Sequence, residues 1–231
     1  MAYEQQLAAV ANPTGWRAAG VATTVFLALP IALTTIAVRL FPQAMPLASW
    51  LGYAAFCWIT VVLLHRWSEA RGTAGDVFAF TRPSLVDLAI AVAGAVIGLF
   101  VIWPASQILG HFLGATVHGM DFDLHAPSVW PSIALWAVIT APFCEEVQFR
   151  GLAVAYCRAR RWPAWAIIVA SSTAFAAIHH PYFGIGLALF ILFWSAMVCA
   201  IRLWRQSLTP GLMLHVFNNI AAYLVFPLLH H

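Results

Sequence analysis

Residues 141–156, APFCEEVQFRGLAVAY, place two adjacent glutamates and an arginine in a run that is otherwise fit for lipid. A carboxylate in such a setting can serve as general base to a water, or it can be used to neutralise a neighbouring cation. Helical spacing separates the two uses. Glu146 and Arg150 are four apart, share a face and can form a charge-assisted pair. Glu145 is rotated about 100° from Glu146 and has no such local partner, so it is the candidate for a carboxylate directed into a cavity. Two further stretches carry polar groups. In FAAIHHPYFG, Phe175 and His179 are four apart on one face, with Phe175 placed to pack beneath the imidazole and Pro181 expected to end the helix soon after. In SLTPGLMLHVFNNI, Thr209 reads as an N-cap and Pro210 as a first-turn residue. His215 and Asn219 then share a face, and an imidazole beside a carboxamide can hold a water or donate to a developing oxyanion. Asn218 lies on another face and suits a hydrogen bond between helices.

The elements that must position these groups are membrane helices. Of 231 residues, 63% are hydrophobic and only 8% charged, more apolar than the core of a soluble domain requires. Runs long enough to cross a hydrocarbon core of about 30 Å fall at 17–40, 47–65, 85–109, 131–157, 162–179, 184–203 and 211–229. They do not alternate in polarity as the strands of a membrane β-barrel would. The expected fold is all-α, a polytopic bundle of about seven transmembrane helices. It forms a single integral membrane domain over 1–231: a short N-terminal segment 1–16, three helices within 17–109, and helices over 131–229 that carry the chemistry. The first span is too long for a cleavable signal and is expected to be retained. Ionisable groups inside a bilayer cost at least about 2.5 kcal/mol each, and those outside the loops concentrate in the last four spans, so the active site belongs there.

All 11 basic residues other than histidine are arginines. Arg66, Arg71 and Arg82, then Arg158, Arg160 and Arg161, then Arg202 and Arg205 mark three turns as cytoplasmic, with Arg17 placing the N-terminus on the same side and the C-terminus outside. Arg39 is the exception. The stretch 110–130 carries His111, His118, Asp121, Asp123 and His125 but no arginine, as expected of an external loop. Trp16, Trp67, Trp130, Trp162 and Trp204 sit near span ends, where interfacial aromatics belong. The net charge of +3 is accounted for by topology and points to no nucleic-acid partner. Cys57, Cys144, Cys157 and Cys199 lack CxxC spacing and read as small buried hydrophobes.

Taken together, EEVQFR (145–150), FAAIH (175–179) and HVFNN (215–219) resemble, in order, the EExxxR, FxxxH and HxxxN motifs of the CAAX-protease and bacteriocin-processing family of intramembrane proteases. Gly151 and the SLTP before the last histidine fit the same pattern, and the resemblance spans roughly 130–229. It implies an intramembrane endopeptidase acting near the C-terminus of a membrane-anchored or lipid-modified protein. In that scheme Glu145 and His179 activate the water, His215 and Asn219 stabilise the oxyanion, and Glu146, Arg150 and Phe175 support the site. No cofactor is expected. The alternative is zinc held by Glu145, His179 and His215, although HExxH spacing is lacking. The partners implied are the substrate protein and the bilayer, and a bacterial cytoplasmic membrane is the expected location. A non-catalytic scaffold or immunity-type protein of the same fold is the competing reading. A proton-relay transporter would call for internal repeats that the sequence lacks. One geometric difficulty accompanies the resemblance. On a conventional count His179 ends the fifth span externally and His215 begins the seventh on the cytoplasmic side, about 30 Å apart. Either 203–212 dips back into the membrane, or the fifth helix starts deeper than hydropathy suggests, or the helices tilt strongly around a water-filled cavity.

Overall fold

The computed structural model describes Gly20, residues 46–114 and residues 129–225. The first predicted span, the acidic and histidine residues of 115–128, and the chain beyond 225 lie outside the described residues. Among those described the fold is all-helical, as expected, with no strand. Helix α1 (Pro46–Glu69) is followed by the single turn α2 (Ala74–Val77). Helix α3 (Leu85–Phe112) passes through a π-helical stretch at Gly98–Ile102. Helix α4 (129–159) contains two such stretches, Ala134–Thr140 and Glu146–Leu152. Helices α5 (Ala164–His180) and α6 (Gly184–Arg205) come next, and α7 (Thr209–Ile220) continues into a π-helical Ala221–Val225. By length and composition, α3 and α6 are apolar enough to cross a membrane.

Local chemistry explains the boundaries. Ser84 and Asp87 form a reciprocal capping box at the start of α3, and Asp87 Oδ1 then accepts from Arg205 Nη2 at 3.0 Å, fastening the beginning of α3 to the end of α6. Between α5 and α6 the helical path does not stop at Pro181. The break comes at Gly184, whose φ of 72° belongs to the left-handed region that favours glycine. Thr209 is the first residue of α7 rather than its N-cap. Its hydroxyl reaches sideways, donating to Thr81 O at 2.7 Å and accepting from Thr81 N at 3.0 Å.

That contact belongs to a seam. Leu208 N donates to Ala79 O at 2.8 Å, and Arg202, itself buried, donates to Asp76 O at 3.2 Å. The segment between α2 and α3 is thereby stitched to the turn between α6 and α7. At that turn Gln206 adopts a left-handed φ of 54°, and the chain reverses sharply. Helix α7 consequently starts inside the end of α6: Gly211 lies against Val198, and His215 against Trp194 with ring centroids 4.8 Å apart. Phe175 of α5 approaches the same Trp194 at 6.4 Å.

The depth difficulty is resolved by this register. Trp194 is near the middle of α6, and both Phe175 and His215 are level with it. His179 follows Phe175 by one turn, so the two imidazoles differ in depth by only about 6 Å. Of the foreseen routes, the one these contacts bear on is the turn over 203–212, which reverses at Gln206 and sets α7 against the end of α6, whereas the fifth helix starts at Ala164, close to expectation.

Candidate active site

Helix α4 brings the charged pair into the centre of the bundle, where Glu146 and Arg150 are both fully buried. Arg150 Nη1 lies 3.1 Å from Glu146 Oε1, the pairing expected from their spacing. The guanidinium also donates through Nη2 to Ser195 Oγ at 2.7 Å and lies over the Phe175 ring at 4.5 Å. Both contacts suit a delocalised, planar cation that must live without water.

Glu146 does more than balance Arg150. His215 Nδ1 is 2.9 Å from Glu146 Oε1, while His215 Nε2 is 3.6 Å from Glu145 Oε2. A carboxylate accepts only, so Nδ1 carries a hydrogen and Nε2 is the nitrogen presented towards Glu145. The two glutamates, expected to serve separate purposes, flank one imidazole. The π-helical stretch that starts at Glu146 reduces the turn per residue, which suits adjacent side chains converging on one partner.

His179 sits where its spacing places it, above Phe175, with centroids 4.5 Å apart. Its Nδ1 donates to Phe175 O at 2.7 Å, which fixes the tautomer and leaves Nε2 as the basic nitrogen. Phe175 is the shared floor, since its ring also meets His215 edge-on at 6.0 Å. His180 is exposed. Asn219 is buried, and its Nδ2 donates to Ala137 O of α4 at 2.7 Å, leaving the second amide hydrogen for another acceptor. The bond between helices is thus made by Asn219, whereas Asn218 Nδ2 turns to Asn219 Oδ1 at 3.4 Å. Cys144 packs with Cys57 and Val61 of α1, and the four cysteines are buried and form no disulfide.

Glu145, Glu146, Arg150, Phe175, His179, His215 and Asn219 therefore meet around one locus drawn from α4, α5 and α7. Spacing along single helices did not reveal Trp194 and Ser195, which α6 supplies from a stretch that reads as purely apolar. Among the described residues, no three His, Cys, Asp or Glu side chains converge as a metal site.

Residues 127–221 match the family model described as Rce1-like, type II CAAX prenyl endopeptidase Rce1-like. This segment belongs to the Rce1-like family. No curated protein and no solved structure matches the chain. The Rce1-like segment contains every residue of the locus, and α1 to α3 pack around it from outside the match. The match is to a protease family, and α3 and α6 are by length and composition apolar enough to cross a membrane.

Proposed function

We propose that the protein is an intramembrane endopeptidase that hydrolyses a peptide bond near the C-terminus of a membrane-anchored or lipid-modified protein. Glu145, with the basic Nε2 of His179, accepts a proton from water as its oxygen bonds to the scissile carbonyl carbon. The carbonyl electron pair moves onto oxygen, where Asn219 Nδ2 and the protonated form of His215 donate to it. Collapse of that oxyanion breaks the C–N bond, and the amine leaves with the proton held by Glu145. Glu146 orients His215, and Arg150 holds Glu146 by charge while Ser195 and Phe175 hold Arg150. The observation that carries this reading is His215 set between Glu146 and Glu145 inside the Rce1-like segment.

A sorting-type substrate, whose C-terminal membrane tail is removed before surface anchoring, falls within this class. The proposed setting is a bacterial cytoplasmic membrane with the N-terminus inside and the C-terminus outside. Arg158 meets Gln206, and Arg202 and Arg205 meet Asp76 and Asp87, so the three arginine-bearing turns share one end of the bundle, which supports that orientation. The test is reconstitution in proteoliposomes with a fluorescence-quenched peptide bearing a farnesylated cysteine three residues from its C-terminus. Wild type should cleave it and Glu145→Ala should not, at equal folded amounts. Cleavage by Glu145→Ala at the wild-type rate would falsify the assignment.

A further inference from the structure

Tyr223 stands four residues beyond Asn219 and eight beyond His215. In an unbroken α-helix each such step rotates a side chain by about 40°, so Tyr223 would drift roughly 80° from His215. The chain instead widens into a π-helix over Ala221–Val225, where each residue turns by only about 80°. Between 219 and 223 the two kinds of step come close to one full turn, and Tyr223 returns to the line of Asn219. Two contacts locate that line. Asn219 donates to Ala137 O at 2.7 Å, and the Tyr223 ring meets Trp136 edge-on at 5.7 Å. Trp136 and Ala137 are neighbours on α4 about two turns before Glu145, so Tyr223 stands one turn beyond Asn219 on the face of α7 that carries Asn219 and His215. Helical side chains lean towards the N-terminus, and on α7 that direction is towards Asn219 and His215.

We infer that the Tyr223 hydroxyl is a further catalytic group, a third donor to the oxyanion beside Asn219 and His215. The inference rests on the peptidase reading. The π-helical stretch then has a purpose, to re-phase α7 so that three donors in succession face one reacting oxygen, and such stretches are frequent at functional sites. The ring supplies packing against Trp136 and the hydroxyl supplies the chemistry, so Tyr223→Phe separates the two.

The proteoliposome assay with the farnesylated peptide is run on wild type, Glu145→Gln and Tyr223→Phe. Tyr223→Phe should keep the wild-type melting temperature and a KM within about twofold, while kcat falls roughly 100-fold, the usual loss for one oxyanion donor. A wild-type kcat, or a loss confined to KM or to folded yield, overturns the inference and leaves the peptidase reading intact. If wild type cleaves no better than Glu145→Gln, the peptidase reading fails and this inference falls with it. As a measurement independent of how well the phenylalanine variant folds, 3,5-difluorotyrosine placed at 223 keeps the ring and makes the phenol more acidic. The alkaline limb of kcat should then move to lower pH, and an unmoved limb overturns the assignment.

Discussion

Glu146 is the side chain on which the buried charges depend. Its Oε1 meets both Arg150 Nη1 at 3.1 Å and His215 Nδ1 at 2.9 Å. Glu146→Gln would strand the Arg150 guanidinium in a dry interior, and breaking a buried pair in this way costs about 3–5 kcal/mol. Thermal unfolding in detergent should therefore show a large loss for Glu146→Gln and a small one for Glu145→Gln, although both abolish cleavage. Equal melting temperatures for the two variants would contradict this division. The sequence makes one half of the arrangement legible, because positions four apart on a helix share a face. The contact from Glu146 to His215 joins α4 to α7, and no periodicity within a single helix can report it. The same blindness hid Ser195, an isolated hydroxyl on α6 whose only visible neighbours in the sequence are apolar.

At the level of elements, close approach is managed by glycine. A Cβ at Gly151 would overlap the carbonyl oxygen of Val77, so α4 can pass α2 only without a side chain there. This gives a physical reason for the glycine that follows Arg150 in the motif. A Cβ at Gly211 would come within 3.1 Å of Val198 Cγ1 and 3.3 Å of Glu146 Oε2, so it would press on the carboxylate as well as on α6. Gly75, by contrast, has nothing within 4 Å. Gly211→Ala is expected to cost about 1–3 kcal/mol and to reduce cleavage by displacing Glu146. Gly151→Ala should fare worse, because a backbone oxygen cannot move aside, and Gly75→Ala should stay within about 0.5 kcal/mol of wild type. Melting temperatures of the three purified variants decide the order. The helices themselves were readable from hydropathy alone, and the ends of α3, α4 and α6 fall within a few residues of expectation. Their relative heights were not, since Gly184 breaks the chain later than Pro181 suggested and the Gln206 reversal is set by contacts with Ala79 and Thr81.

For the molecule as a whole, the arginine-rich turns gather at one end, and their sidedness is open to chemical labelling. Arg71 and Arg160 are exposed, as is Leu113 at the far end of α3, whereas the four native cysteines are buried and contribute little background. A membrane-impermeant maleimide should label Leu113→Cys in intact spheroplasts, and Arg71→Cys or Arg160→Cys only after the membrane is opened. Labelling in the opposite order would invert the proposed orientation. The level of Trp194 also has a bearing on what can be cut. Helix α6 has 22 residues, about 33 Å of rise, and the locus lies level with its midpoint, about 16 Å from either end. An extended chain covers that depth in about five residues. On the proposed reading the protein is a gauge as well as a blade: a folded domain that stops at the membrane surface needs a tether of roughly that length before its scissile bond can reach the glutamate. Trimming the tether of a cleavable reporter one residue at a time should therefore end cleavage abruptly rather than by degrees.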